Sequence, residues 1–148
     1  MATTIIKDTQ LALIQVLKSG ETGQVVSPSS IFYGTQLTRE YPIVFVTWKG
    51  GPLEKVALGY ENWVQDYSVI SINSGQSGDA AEESVQDLAE HVIADVKANP
   101  TLQGKVSDCE VIRIDGQSAT IGPDYGKTDR ILAGSNVTVR VTLKLVTR

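Results

Sequence analysis

The 148-residue chain is poor in the side chains that much protein chemistry depends on, with one Cys, one His and one Met. A lone thiol closes no intrachain disulfide, and one thiol with one imidazole cannot furnish a zinc ligand cluster. Long apolar runs are also missing. No stretch approaches the roughly 20 apolar residues needed to cross a bilayer. Residues 1–19 interrupt their apolar positions with Lys7, Asp8, Gln10, Gln15 and Lys18, unlike a signal peptide. The expectation is a soluble, cytoplasmically made protein with no membrane partner. Basic charge is in deficit, 13 Lys+Arg against 17 Asp+Glu for a net charge of −4. That balance argues against a sequence-independent grip on nucleic acid. What is present is 41% hydrophobic residues, enough at this length for one domain over residues 1–148 with a core that needs no metal or disulfide.

Apolar spacing predicts a helix over about residues 3–19, ended by Ser19-Gly20. Residues 20–41 are polar and rich in Gly, Ser and Pro, which reads as a long loop or functional arm, and deletion of Gly20 to Gly34 is expected to spare folding but abolish joining. Ile43-Val44-Phe45-Val46-Thr47-Trp48 is strand chemistry, with a turn at Lys49-Gly50-Gly51-Pro52 behind it. A second strand is expected over about residues 62–73, with Tyr67 and Val69 on one face and Ile70 and Ile72 on the other.

Asp79 with Glu82 resembles a capping box opening a helix whose apolar stripe is Val85, Leu88, Ala89, Val92, Ile93 and Val96. Glu83, Gln86, Asp87, Glu90 and Asp95 are assigned to its outer face, and Asn99-Pro100 ends it. A strand around Cys109 to Asp115 follows, then a second long loop at 116–135, then a strand in which Val137, Val139, Val141, Leu143 and Leu145 alternate with polar residues. Asn136-Val137-Thr138, formally a glycosylation sequon, reads as part of that strand. The order helix, strand, strand, helix, strand, strand predicts an α+β fold. It has a mainly antiparallel sheet of four or slightly more strands, with two main helices packed on it.

Tests for chemistry return little. Gly122-Pro123-Asp124-Tyr125-Gly126-Lys127-Thr128 resembles a phosphate-binding loop but is one residue short between its glycines, and it leads toward a strand instead of a helix N-terminus. A nucleotide-binding module centred there is the minor alternative. His91 has Asp87 and Asp95 as helical neighbours, an ordinary i, i+4 electrostatic arrangement. Cys109, between Asp108 and Glu110, reads as a small buried apolar residue. No catalytic residue, metal ligand or cofactor site is assigned, and the chain reads as a non-enzyme. Trp48 and Trp63, with Tyr41, Phe45, Tyr60 and Tyr67, are read as core, with anchoring of a contact as the alternative. Charge is segregated. Residues 79–98 hold Asp79, Glu82, Glu83, Asp87, Glu90 and Asp95 against Lys97, whereas residues 127–148 hold Lys127, Arg130, Arg140, Lys144 and Arg148 against Asp129. Opposite patches on one chain suit a head-to-tail contact that closes into a ring, the alternative being two solvated faces with no role in assembly.

The element order and several local patterns resemble the tail terminator (tail completion, minor tail protein U-like) proteins of tailed bacteriophages. The resemblance spans nearly the whole chain. It rests on the N-terminal helix, Tyr41-Pro42-Ile43-Val44-Phe45-Val46, the strand Ser68 to Asn73, the helix ending Asp95-Val96-Lys97-Ala98-Asn99-Pro100-Thr101-Leu102, and the alternating C-terminal strand. It implies a structural virion protein, assembled in the host cytoplasm, that forms a ring, typically a hexamer, on the head-proximal end of the tail tube. Such a ring stops tube polymerisation and presents the surface for the head connector. Implied partners are further copies of itself, the tail tube protein and a connector or neck protein, with sheath protein a further candidate. DNA is only cargo through the lumen. Loops make the axial contacts in such rings, which with the charged segments gives Tyr33, Arg39, Asp87, Glu90, Lys127, Arg130, Arg140 and Lys144 as candidate inter-subunit or axial contacts. A different neck or head-closure protein, or an oligomeric adaptor outside any virus, fits the same profile.

Overall fold

The computed structural model describes residues 5–33, 41–75, 77–122 and 130–146, the side chains of 117–122, 130 and 146 excepted. The chain is α+β, as the sequence predicts. Helix α1 (Ile5–Ser19) turns Leu13, Ile14, Val16 and Leu17 inward. Residues 20–33, expected as loop, hold a four-residue helix α2 (Thr22–Val25), a 3-10 turn at Pro28–Ser30 and strand β1 (Ile31–Tyr33). Then come β2 (Ile43–Gly50), β3 (Leu53–Ala57), β4 (Tyr60–Gly75), α3 (Gly78–Ala98), β5 (Asp108–Gly122) and β6 (Arg130–Val146).

Six strands form one sheet in the order β1-β2-β4-β6-β5, with β3 on β4 beside this path. The sheet is mixed, because β1 runs parallel to β2 while the other pairings are antiparallel. Two strands thus exceed the predicted four. Three residues are too few for alternation to register, and β1 exists because the outer edge of β2 offers it partners. β3 sits between the turn signals Gly50-Gly51-Pro52 and Leu58-Gly59. Gly51 is required in that hairpin, since a Cβ there would lie 2.0 Å from the Val64 carbonyl oxygen. Residues 116–122 and 130–135 of the expected loop are strand instead, because β5 and β6 pair out to Gly122 and Arg130.

Both long helices lie on one face of the sheet. There Val44, Val46, Tyr67, Val69, Val137, Val139 and Val141 meet Leu13, Leu17, Leu88, Val92 and Val96 in a single core. Burial of this stripe is the main stabilising term, at roughly 25 cal/mol per Å² of apolar surface removed from water. Two polar contacts pin α1 in register. Gln10 Nε2 donates to the Val46 carbonyl oxygen (2.6 Å), and the buried Tyr67 hydroxyl donates to that of Ile6 (2.8 Å). Burial pushes the Tyr67 phenol up to about 12. No helix among the described residues covers the opposite face, where Asp66, Ile70 and Arg140 stand.

Helix α3 is capped two residues before the position that the predicted capping box gives it. Its N-cap is Ser77, whose hydroxyl accepts from the Ala80 amide (3.2 Å), so the Asp79/Glu82 capping box is not the cap used. Glu83, Gln86, Asp87 and Glu90 face solvent as expected, but Asp95 does not. It is 3% exposed, and its carboxylate accepts from the amides of Glu21 (2.7 Å) and Thr22 (2.9 Å) at the start of α2. Gly20 makes this approach possible, since a Cβ there would lie 2.2 Å from Asp95 Oδ1. The supposed loop is therefore bound to the core, with Thr22, Val26 and Ile31 buried, and removing it would strip a strand from the sheet.

Candidate functional site

The predicted contact residues are not brought together. Asp87 and Glu90 stand on the solvent side of α3, on the helical layer. Arg140 lies on the other face of the sheet, in register with Asp66. Its guanidinium donates to both Asp66 oxygens (3.0 and 3.2 Å), which raises its pKa further. Glu110, its neighbour on β5, adds to that rise. Arg113 on β5 likewise donates to Asp115. The basic C-terminal strand is thus interleaved with acids from β4 and β5, and a uniform basic patch does not result. Lys144 is exposed near the end of the same strand. Tyr33 closes β1, half-exposed, in register with Val46. Arg39 and Lys127 lie outside the described residues. Arg130 pairs with Gly122 through its backbone, and its side chain is likewise outside.

The chemical candidates resolve similarly. Gly122 ends β5 and Arg130 opens β6, so the segment compared with a phosphate loop joins two antiparallel strands, and no helix N-terminus follows it to meet a phosphate. Residues 123–129 themselves are outside the described set. His91 faces Glu21 of the α1–α2 junction (Nδ1 to Oε1, 3.4 Å) in place of the expected Asp95, which is turned inward. Cys109 is buried, its thiol donating to the Asn99 carbonyl oxygen (3.2 Å). Burial, helped by Asp108, pushes it up to about 11, the opposite of an activated thiolate.

What the sequence reading missed is the β3–β4 hairpin, residues 53–60. All five residues of β3 are exposed. Leu53, Val56, Leu58 and Tyr60 are 59%, 62%, 94% and 56% exposed, and half-exposed Trp48 stands nearby, its indole N–H held by Gln65 Oε1 (2.8 Å). Of the aromatics read as core with a contact as the alternative, Trp48 and Tyr60 are therefore surface residues, while Phe45 and Tyr67 are buried. Scattered apolar residues on a surface are ordinary, but four on one short hairpin make it a candidate contact element. The available signal was the pair of turn motifs framing a five-residue run.

Near the same end of the sheet, α1 and the last residues of β6 leave a groove of about 600 Å³. Ile5, Leu11, Ala12, Leu143 and Leu145 form its apolar walls, and Asp8, Thr9 and Lys105 complete its lining. The molecule thus presents an apolar projection and an apolar recess. No protein-family model matches the chain, and no curated protein matches it.

Proposed function

We propose that this protein is a structural, ring-forming virion component that acts as the tail terminator of a tailed bacteriophage, capping the head-proximal end of the tail tube and offering the joining surface for the head connector. The observation that carries the reading is the hairpin at residues 53–60. An isolated monomer gains nothing from holding Leu53, Val56 and Leu58 in water, whereas an assembly subunit uses such a surface. The α+β class is the one the sequence predicts. The acids of α3 lie on the helical layer, away from Arg140 and Lys144 on the other face of the sheet, which suits a subunit that meets unlike neighbours on unlike faces.

Purified protein, alone and mixed with the tail tube protein encoded beside it, tests the reading by light scattering and negative-stain microscopy. The expected result is a closed ring, formed alone or on tubes whose growth then stops at one end. Monomers throughout, with tube length unchanged, would refute it.

A further inference from the structure

We infer that the outer edge of β5 and the cleft beside it form a docking site for an extended, basic segment of another protein, which adds a strand to the sheet and lays lysine or arginine side chains into the cleft. The inference stands apart from the tail reading, whose test is ring formation and tube length. β5 ends the strand order and pairs only with β6, so alternate N–H and carbonyl groups along its other side have no strand partner among the described residues. Its register shifts between Val111 and Arg113 and again between Gln117 and Thr120, which leaves Arg113 to Gln117 as one regular run of edge. Ile112, Arg113, Ile114 and Gly116 are exposed along it. Main-chain pairing at such an edge takes any extended chain, and the pockets beside it choose the side chains.

The cleft lies between this run and α3, with a volume of about 360 Å³. Val85, Ala89 and Ile114 give it apolar walls, and Gly116 leaves room in it, since a Cβ there would meet nothing within 4 Å. Ser135 also lines it, 5% exposed, and its hydroxyl has no partner among the described residues. A buried oxygen in that state favours an incoming donor. Apolar walls leading to an acceptor suit a side chain with a long apolar stem and N–H donors at its end, which is lysine or arginine. Charge points the same way. α3 and β5 together hold nine acids against Lys97 and Arg113, although the whole chain nets only −4. Three of the nine are committed elsewhere: Asp95 is turned inward, Asp115 is paired with Arg113, and Glu82 at the cleft is engaged within the chain. Glu83 and Glu90 stand exposed about one helical turn to either side of Gln86, which lines the cleft, so the helix rim above it is acidic. That rim attracts a basic segment. It also disfavours the β5 edge of a second copy, because two such edges would bring like charges together.

A blocked peptide that alternates lysine with small β-formers, Lys-Thr-Lys-Val-Lys-Thr-Lys, is the probe, titrated calorimetrically into the full chain. Saturable binding is expected, with hydrogen exchange slowed at residues 113–117. Methylating the three central backbone nitrogens of the peptide keeps every side chain and charge but removes donors to the edge, and should weaken binding at least tenfold. Replacing its lysines by glutamate should abolish binding. On the protein, Gly116→Leu fills the cleft, and Glu83→Lys combined with Glu90→Lys reverses the rim. Each is expected to weaken binding at least tenfold at an unchanged urea midpoint, and Ser135→Ala to weaken it about threefold. Equal binding of the methylated peptide, or wild-type affinity in both the Gly116→Leu chain and the reversed-rim chain, would reduce the contact to bare charge attraction and overturn the site. Absence of saturable binding overturns it too, as does protection confined to elements other than α3 and β5. Protection of residues 113–117 that grows with protein concentration in the absence of peptide would assign the edge to a second copy and equally refute the inference.

Discussion

Replacing Asp95 by Ala should cost far more than removing a typical acid from a helix surface. Its carboxylate accepts from two backbone amides, at 2.7 and 2.9 Å, and Thr22 is fully buried. Stranding the Thr22 amide away from water costs about 1–3 kcal/mol, and losing the half-exposed Glu21 bond adds about 1 kcal/mol. The expected total is about 3 kcal/mol. With a urea slope of about 2 kcal/mol per molar for a domain of this size, the unfolding midpoint should fall by about 1.5 M at constant slope. Asp95→Asn, which keeps one acceptor oxygen, should fall between. Gly20→Ala pushes a methyl against the same carboxylate and should destabilise comparably in the wild type, but much less in an Asp95→Ala background, where the space is free. Urea titrations at matched protein concentration measure all four chains. A midpoint for Asp95→Ala within about 0.3 M of wild type, or additive effects in the double variant, would refute the clasp.

Cys109, buried and pushed up to about 11, should react with a small alkylating reagent at pH 8 about two orders of magnitude more slowly than a free thiol, and at the normal rate once unfolded. Mass spectrometry of timed samples reads this. Both Cys109 and Tyr67 have folded pKa values above their ordinary ones, 9.0 rising to about 11 and 10.0 to about 12. The unfolded chain therefore releases these protons first, so stability should be level below about pH 9 and fall as pH climbs through 11 toward 12. Tyr67→Phe should remove the upper part of that decline in pH-dependent melting, with some stability lost at every pH because the Ile6 carbonyl loses its donor. Ser71 and Ser135 face each other across β4 and β6 with buried hydroxyls that have no partner among the described residues. Ser71→Ala or Ser135→Ala should be neutral or stabilising by up to about 1 kcal/mol, and a loss above that in urea titration would show that the hydroxyls are satisfied.

The readable parts of this chain are those whose signal is periodic. The stripe of α3 and the alternation from Val137 to Leu145 repeat often enough to identify their elements, and both are present. Asp95 shows where periodicity was outvoted by residue type. It stands three residues after Val92 and seven after Leu88, on the buried stripe, yet its charge placed it outside. The hairpin at residues 53–60 failed differently. Its side chains are apolar and exposed, so a rule that sends apolar residues inward misassigned Tyr60 and passed over Leu58. The charge segregation counted along the chain also dissolved in part, because Asp66 and Glu110 come from other strands to flank Arg140.

The sequence by itself determined the α+β class, the two long helices, the C-terminal strand and the inert character of Cys109, since each depends on local spacing or on the residue's own chemistry. Only the tertiary structure decided that residues 20–33 belong to the core, that β1 pairs parallel at the edge, and that an apolar projection stands near an apolar recess. Those facts rest on groups separated widely along the chain. Asp95 reaches amides 74 and 73 residues away, and the groove joins the first helix to the last strand. No local pattern encodes which distant surface will meet them. That is settled when the sheet closes and its edges and faces acquire neighbours.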